Sequence, residues 1–292
     1  MTLDMWALVS TLFKFGSYVG VSVALGTLLF VFLYRPALKR QIKFISVMSL
    51  VGAVSTVGYF LLQVGAFSQS GLLGMFDVDI LKLLYTTGNG DLLIFRAFGL
   101  VYFAAVWSVL NKILLRSHWS VTTSLLMPAI MSVLWSFTTV GHISDLAWYW
   151  QGTLILHIFV ALAWIGSLQP LYKLVEGVDT KQVNYTLHQY SKIGTGIVIL
   201  LLAAGLSLTY KLIILDNNQD SIEYLIALLS KVTLVVIMFG LAAYHKFNLA
   251  EKVKKGEVDK NKVALSIKRE NIIGYSVLLI TAILTTVVGI NH

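Results

Sequence analysis

Long apolar runs, separated by short polar segments, occupy most of the chain. Runs long enough to cross a bilayer fall near 5–34, 44–67, 91–111, 119–141, 151–172, 190–214, 222–245 and 270–290. Each meets the ~20 residues that a membrane helix requires. The pattern predicts an all-α polytopic membrane bundle with eight transmembrane helices. Arg35-Pro36 ends the first run, because proline disfavours helix in the residue before it. Asp4 is the only charge ahead of that run, with no basic flank and no A-x-A site, so the first helix is expected to remain in the mature protein.

Composition agrees with this reading. Of 292 residues, 57% are hydrophobic and 12% charged, about half the usual ~25% charged share of soluble domains. Mean hydropathy is +0.81. The absence of cysteine excludes a disulfide scaffold, a thiolate metal site and a cysteine nucleophile.

Charge sets the expected orientation. One set of loops carries seventeen lysines and arginines, from Arg35, Lys39, Arg40 and Lys43 through to Lys268 and Arg269; the opposite set holds Lys82 and Lys211. By the positive-inside rule both termini are periplasmic. The net charge of +8 is therefore a topological signal, and no nucleic-acid partner is expected. Among the outer loops, 68–90 is glycine-rich and carries Asp77 and Asp79, while 141–150 places Trp148, Tyr149 and Trp150 where aromatic belts sit. The inner loop 246–269 reads as a lysine-rich solvated hairpin touching anionic membrane lipids.

Two halves, 1–140 and 141–292, carry a tandem echo within a single membrane domain. Arg96 precedes Asn111-Lys112 much as Lys231 precedes His245-Lys246, and Gly26-Thr27-Leu28 is matched by Gly166-Ser167-Leu168. Parallel repeats of this kind occur in transporters.

Ionisable groups within apolar runs are costly, about 2.5–3.5 kcal/mol each on insertion scales, and so are functional candidates. Arg96, Lys231, Lys14, His157 and Glu270 qualify. Glu270, beside Lys268 and Arg269, reads as interfacial. Arg96 and Lys231 are structural or pathway charges, expected to pair with carbonyls or carboxylates away from a cation path. His142 closes the fourth run and His157 lies in the outer third of the fifth, so both could meet one ion near the outer face. Imidazole suits copper and zinc, and thioether selects Cu(I). Met131 and His142 are eleven residues apart, three helical turns, with Met127 one turn further in. Trp135 lies between them, and Trp164 shares a face with His157. The plain alternatives are hydrogen-bonded histidines and methionines that fill the core. No G-x-S-x-G, Walker loop or H-E-x-x-H is present, so the chain is not expected to be an enzyme. An ATP-driven pump would also need large cytosolic domains.

These residues resemble the copper-resistance protein D (CopD) family of bacterial inner-membrane proteins, most strongly over 141–290. Gly141-His142 resembles its Gly-His pair, and His157 with Trp164-Ile165-Gly166 its histidine and Trp-x-Gly. Tyr190-Ser191 resembles its Phe-Ser, Lys231 its buried lysine, and Glu270 its glutamate before the last helix. The first half matches mainly in topology. The resemblance implies copper import across the inner membrane, with a periplasmic copper chaperone as donor. The resemblance makes His142 and His157 the metal candidates and Lys231 a helper or structural cation, while Met131 and Met127 follow from the residue pattern itself, for Cu(I) or Cu(II). Two other readings stay open: a haem b-binding redox protein, since histidines ligate haem, and a periplasm-facing copper-binding assembly or sensor protein.

Overall fold

The computed structural model describes residues 3–34, 36–39, 41–177, 180–211, 222–244 and 260–287. In chain order the helices are α1 (Leu3–Leu33), the short α2 (Pro36–Lys39), α3 (Ile42–Ser68), α4 (Val78–Tyr85), α5 (Gly88–Arg116), α6 (Trp119–Trp135), α7 (Trp148–Gly177), α8 (Thr180–Tyr210), α9 (Ile222–Tyr244) and α10 (Lys260–Val287). Tight 3-10 turns occupy Gly71–Phe76 and His142–Asp145. No strand occurs among the described residues. Five helices, α1, α3, α5, α7 and α8, are long and apolar enough to cross a membrane.

The long helices alternate in direction. Trp6 near the start of α1 lies against Gly65 at the end of α3, and Gly88 at the start of α5 lies against Thr139, just past α6. Lys14 of α1 reaches Thr285 near the end of α10. These contacts define one end of the bundle, the upper end.

Among the five spans α1 is the most enclosed and α8 the least. Small residues set how closely α1 meets its neighbours, as is usual for helices packed in lipid. A Cβ on Gly20 would lie 2.5 Å from the Cα of Gly52 in α3. A Cβ on Gly26 would lie 2.1 Å from the carbonyl carbon of Gly166 in α7. Around these crossings Val21, Leu25 and Leu28 of α1 pack with Leu100, Phe103 and Trp107 of α5 and with Ile165 and Leu168 of α7 in one core. The two echoing triplets of the sequence are therefore in backbone contact at the centre of the molecule.

Three boundaries differ from the hydropathy pattern. The 119–141 run stops being helical at Trp135. Hydroxyl groups there compete for the backbone: Ser136 donates to the Val133 carbonyl at 2.6 Å and Thr138 to the Trp135 carbonyl at 2.8 Å. Such local bonds offer the chain an alternative to the helical ladder. Gly141, at φ +86°, completes the turn in a conformation that suits glycine.

The 68–90 loop contains a 3-10 turn and α4. Asp77 caps α4 by accepting from the amides of Asp79 and Ile80, at 3.1 and 3.3 Å, while Ser68 donates to its other oxygen at 2.8 Å. These bonds, the Ser68 one foremost, hold its carboxyl below the ordinary value.

The expected hairpin 246–269 is helical from Lys260 onward, and 245–259 lies outside the described residues. The first turns of α10 are amphipathic: Lys262, Lys268 and Arg269 are exposed while Val263, Ala264 and Ile267 are buried. A hydropathy average misses such a helix because one face is charged.

Candidate metal site and buried cations

His157 lies nine residues into α7, about 13 Å along its axis at 1.5 Å per residue. This remains the outer third of the 30-residue α7, a little further from the helix start than a count from Gly152 gives, because α7 begins at Trp148. Its Nδ1 is sealed from solvent and lacks a well-aligned hydrogen bond, although the Leu201 backbone of α8 lies close enough to act on the ring. The ring faces Gly205 of α8, where an added Cβ would lie 3.1 Å from Cε1. Lys231 of α9 is close enough for its charge to act on the ring. An imidazole nitrogen buried without a well-aligned partner costs free energy, and a soft or borderline metal ion is one group that would use it.

Trp164 is 3% exposed and stacks on Phe239 of α9, with centroids 5.7 Å apart and planes at 11°. This stack fixes α9 against α7 on the His157 side of the bundle. His142 begins the 3-10 turn ahead of α7.

The thioether stripe takes a different form. α6 ends six residues before Gly141, so no continuous helical register links Met131 to His142. Met127, Met131 and Trp135, spaced by four on α6, are 42%, 57% and 52% exposed and face away from the bundle. Buried residues of α6, including Leu126, Ile130 and Val133, occupy the opposite side. Of the remaining histidines, His118 caps α6 by accepting from the Ser120 amide at 3.4 Å. His188 is exposed on α8, while His245 and His292 lie outside the described residues. No cluster of three or more histidine, aspartate or glutamate side chains able to share an ion occurs among the described residues.

Arg96 is 2% exposed in the upper half of α5. Its Nε donates to the Ser136 hydroxyl at 2.9 Å and its Nη2 to the Ser136 carbonyl at 3.5 Å. The guanidinium lies 4.0 Å from the Phe137 ring centroid and 5.9 Å from that of Tyr18. The turn that ends α6 thus supplies the carbonyl expected for Arg96, together with a hydroxyl and an aromatic face. Sequence reasoning did not reach Ser136, Phe137 or Tyr18. A serine within the apolar run 119–141 gave the only hint.

Glu270 is 2% exposed, because α10 starts ten residues before it and turns this position inward among its neighbours. Its charge acts on Tyr190 of α8, whose hydroxyl is 2.8 Å from that of Ser167. Next to it, Asn271 donates to Gln169 of α7 at 3.3 Å. A polar seam thus joins α7, α8 and α10 below His157.

Residues 3–146 match the family model described as copper resistance protein D-like, N-terminal domain, and residues 185–284 match that of copper resistance protein D. The chain belongs to the copper resistance protein D family. Both halves carry the family pattern, the first included, although its visible motifs are sparse; α7 lies between the matched ranges. No curated protein and no solved structure gives a match. Family membership and the long apolar helices together make the chain a copper-resistance membrane protein.

Proposed function

We propose that this chain carries copper inward across the bacterial inner membrane as a bundle of eight transmembrane helices with the upper end in the periplasm. It acts as a permeation protein and not as an enzyme. The lysine- and arginine-rich loops then lie on the cytoplasmic side. α6 is short for a ~30 Å hydrocarbon core, and the segment 136–141 completes its passage.

The observation that carries the reading is His157, an imidazole whose sealed Nδ1 has no well-aligned partner, inside a bundle of a copper-resistance family. In the proposal a separate periplasmic copper chaperone delivers the ion near His142, and His157 receives it next. Met127 and Met131 stand on the lipid-facing side of α6 and are left off the path. Because copper is cargo, a transient site with few ligands suffices, and weak holding allows release. Lys231, near the same ring, opposes a resident cation and favours passage over storage.

Copper uptake by proteoliposomes containing the purified protein tests this. Wild-type vesicles should accumulate copper, His157→Ala vesicles should lose at least about nine-tenths of that flux (a barrier change of roughly 1.4 kcal/mol), and Met131→Leu vesicles should match wild type. Equal flux in wild-type and His157→Ala vesicles overturns the assignment. A Soret band in the purified protein would replace it by haem ligation.

A further inference from the structure

Lys14 and Arg96 form a second polar centre that copper chemistry does not account for. The Lys14 ammonium donates to the Thr285 carbonyl at 2.7 Å and lies 5.2 Å from the centroid of the Tyr59 ring. The Tyr18 hydroxyl is 3.5 Å from the Thr285 hydroxyl, and the Tyr18 ring flanks Arg96. The two cations therefore share one neighbourhood, linked through Thr285 and Tyr18.

Among the described residues every partner of this pair is neutral: Ser136 and two rings for Arg96, Thr285 and one ring for Lys14. No carboxylate among the described residues is seen to pair with either cation; Lys173 and Glu176, by contrast, form an ion pair near the end of α7. Charges placed in hydrocarbon are ordinarily paired, and two like charges side by side raise the cost further. Hydroxyl donors surround the gap in the charge balance. The Tyr59 oxygen accepts from the Gln63 amide, which leaves its own proton to be donated elsewhere, and the Tyr18 and Thr285 hydroxyls lie alongside.

We propose that Lys14 and Arg96, with the Tyr18 and Tyr59 hydroxyls, bind a small inorganic anion of chloride size in the upper half of the amino-terminal helices. Arg96 is 2% exposed, which favours a small anion over a large organic one. A monovalent halide takes N–H and O–H donors from several directions and balances the excess charge. This site is independent of the copper reading, since it lies on α1, α3, α5 and α10 and involves neither His142 nor His157.

The test is thermal unfolding of the purified full-length protein titrated with sodium chloride or with sodium gluconate at matched ionic strength. A ligand that binds only the folded state raises the melting temperature in a saturable way. Chloride should raise it by about 3–6 °C over gluconate. Lys14→Met keeps an apolar stem against Tyr59 and removes one charge, so its half-saturating chloride concentration should rise about tenfold or more. Arg96→Gln should abolish the response where it folds, and Lys14→Met carries the test where it does not. Coincident chloride and gluconate curves for the native protein overturn the proposal, as does a native chloride response in Lys14→Met.

Discussion

Replacing Gly166 by alanine attacks the crossing of α1 and α7 directly. The new Cβ would lie 1.7 Å from the Ser22 carbonyl oxygen and 2.3 Å from its carbon. A comfortable carbon–oxygen contact is about 3.3 Å, so the helices must part by roughly 1.6 Å. Overpacking costs about 1–3 kcal/mol where side chains can yield. Here the obstacle is backbone on both sides, and the same movement loosens Val21, Leu25 and Leu168 in the core. The expected loss is therefore at the top of that range, about 3 kcal/mol. At about 2–4 °C per kcal/mol, the melting temperature should drop by about 6–12 °C. Differential scanning fluorimetry of the detergent-purified variant, with size-exclusion to confirm a single species, measures this. Gly196→Ala on α8 is the matched control, since nothing lies within 4 Å of its Cβ position. Alanine is the better helix former by about 0.8–1.0 kcal/mol, so that variant should melt at or slightly above wild type. Equal melting of Gly166→Ala and wild type would refute the close crossing.

Two further outcomes follow from local bonding. Ser136→Ala removes the hydroxyl that accepts from Arg96 Nε; a buried donor left unpaired costs about 1–3 kcal/mol, and a matching loss should appear in urea or thermal unfolding. Asp77→Ala should speed hydrogen exchange in 78–85, because α4 loses its cap. Since the folded carboxyl is held low, its contribution is present above the unfolded value of about 3.9 and fades as pH falls through the lower native value. The variant and wild type should therefore converge in acid.

Periodicity and loop charge made the helical class and the long apolar elements legible, because burial in lipid is written into hydropathy residue by residue. Boundaries escaped where side chains bond their own backbone, as at Ser136 and Thr138, or where a helix is amphipathic, as at Lys260–Arg269. The costly residues Arg96, Lys14, His157 and Glu270 were visible because apolar runs expose every ionisable exception. Their partners were not. Tyr18 lies 78 positions from Arg96 and Ser136 lies 40, and only folding brings them together. The helical face argument failed for Met131 and His142 because it assumed one unbroken helix. The Gly26 and Gly166 triplets read as an echo of one another, yet nothing in a single sequence indicated that they touch.

The bond between Lys14 and the Thr285 carbonyl spans 271 residues, and that separation has a temporal meaning. A ribosome adding about 5–20 residues per second needs roughly 15–50 s to deliver the second partner after the first. Through that interval α1 sits in the translocation machinery or the lipid with its ammonium lacking the acceptor it finally uses. A helix made well before α10 is thus completed only when α10 arrives.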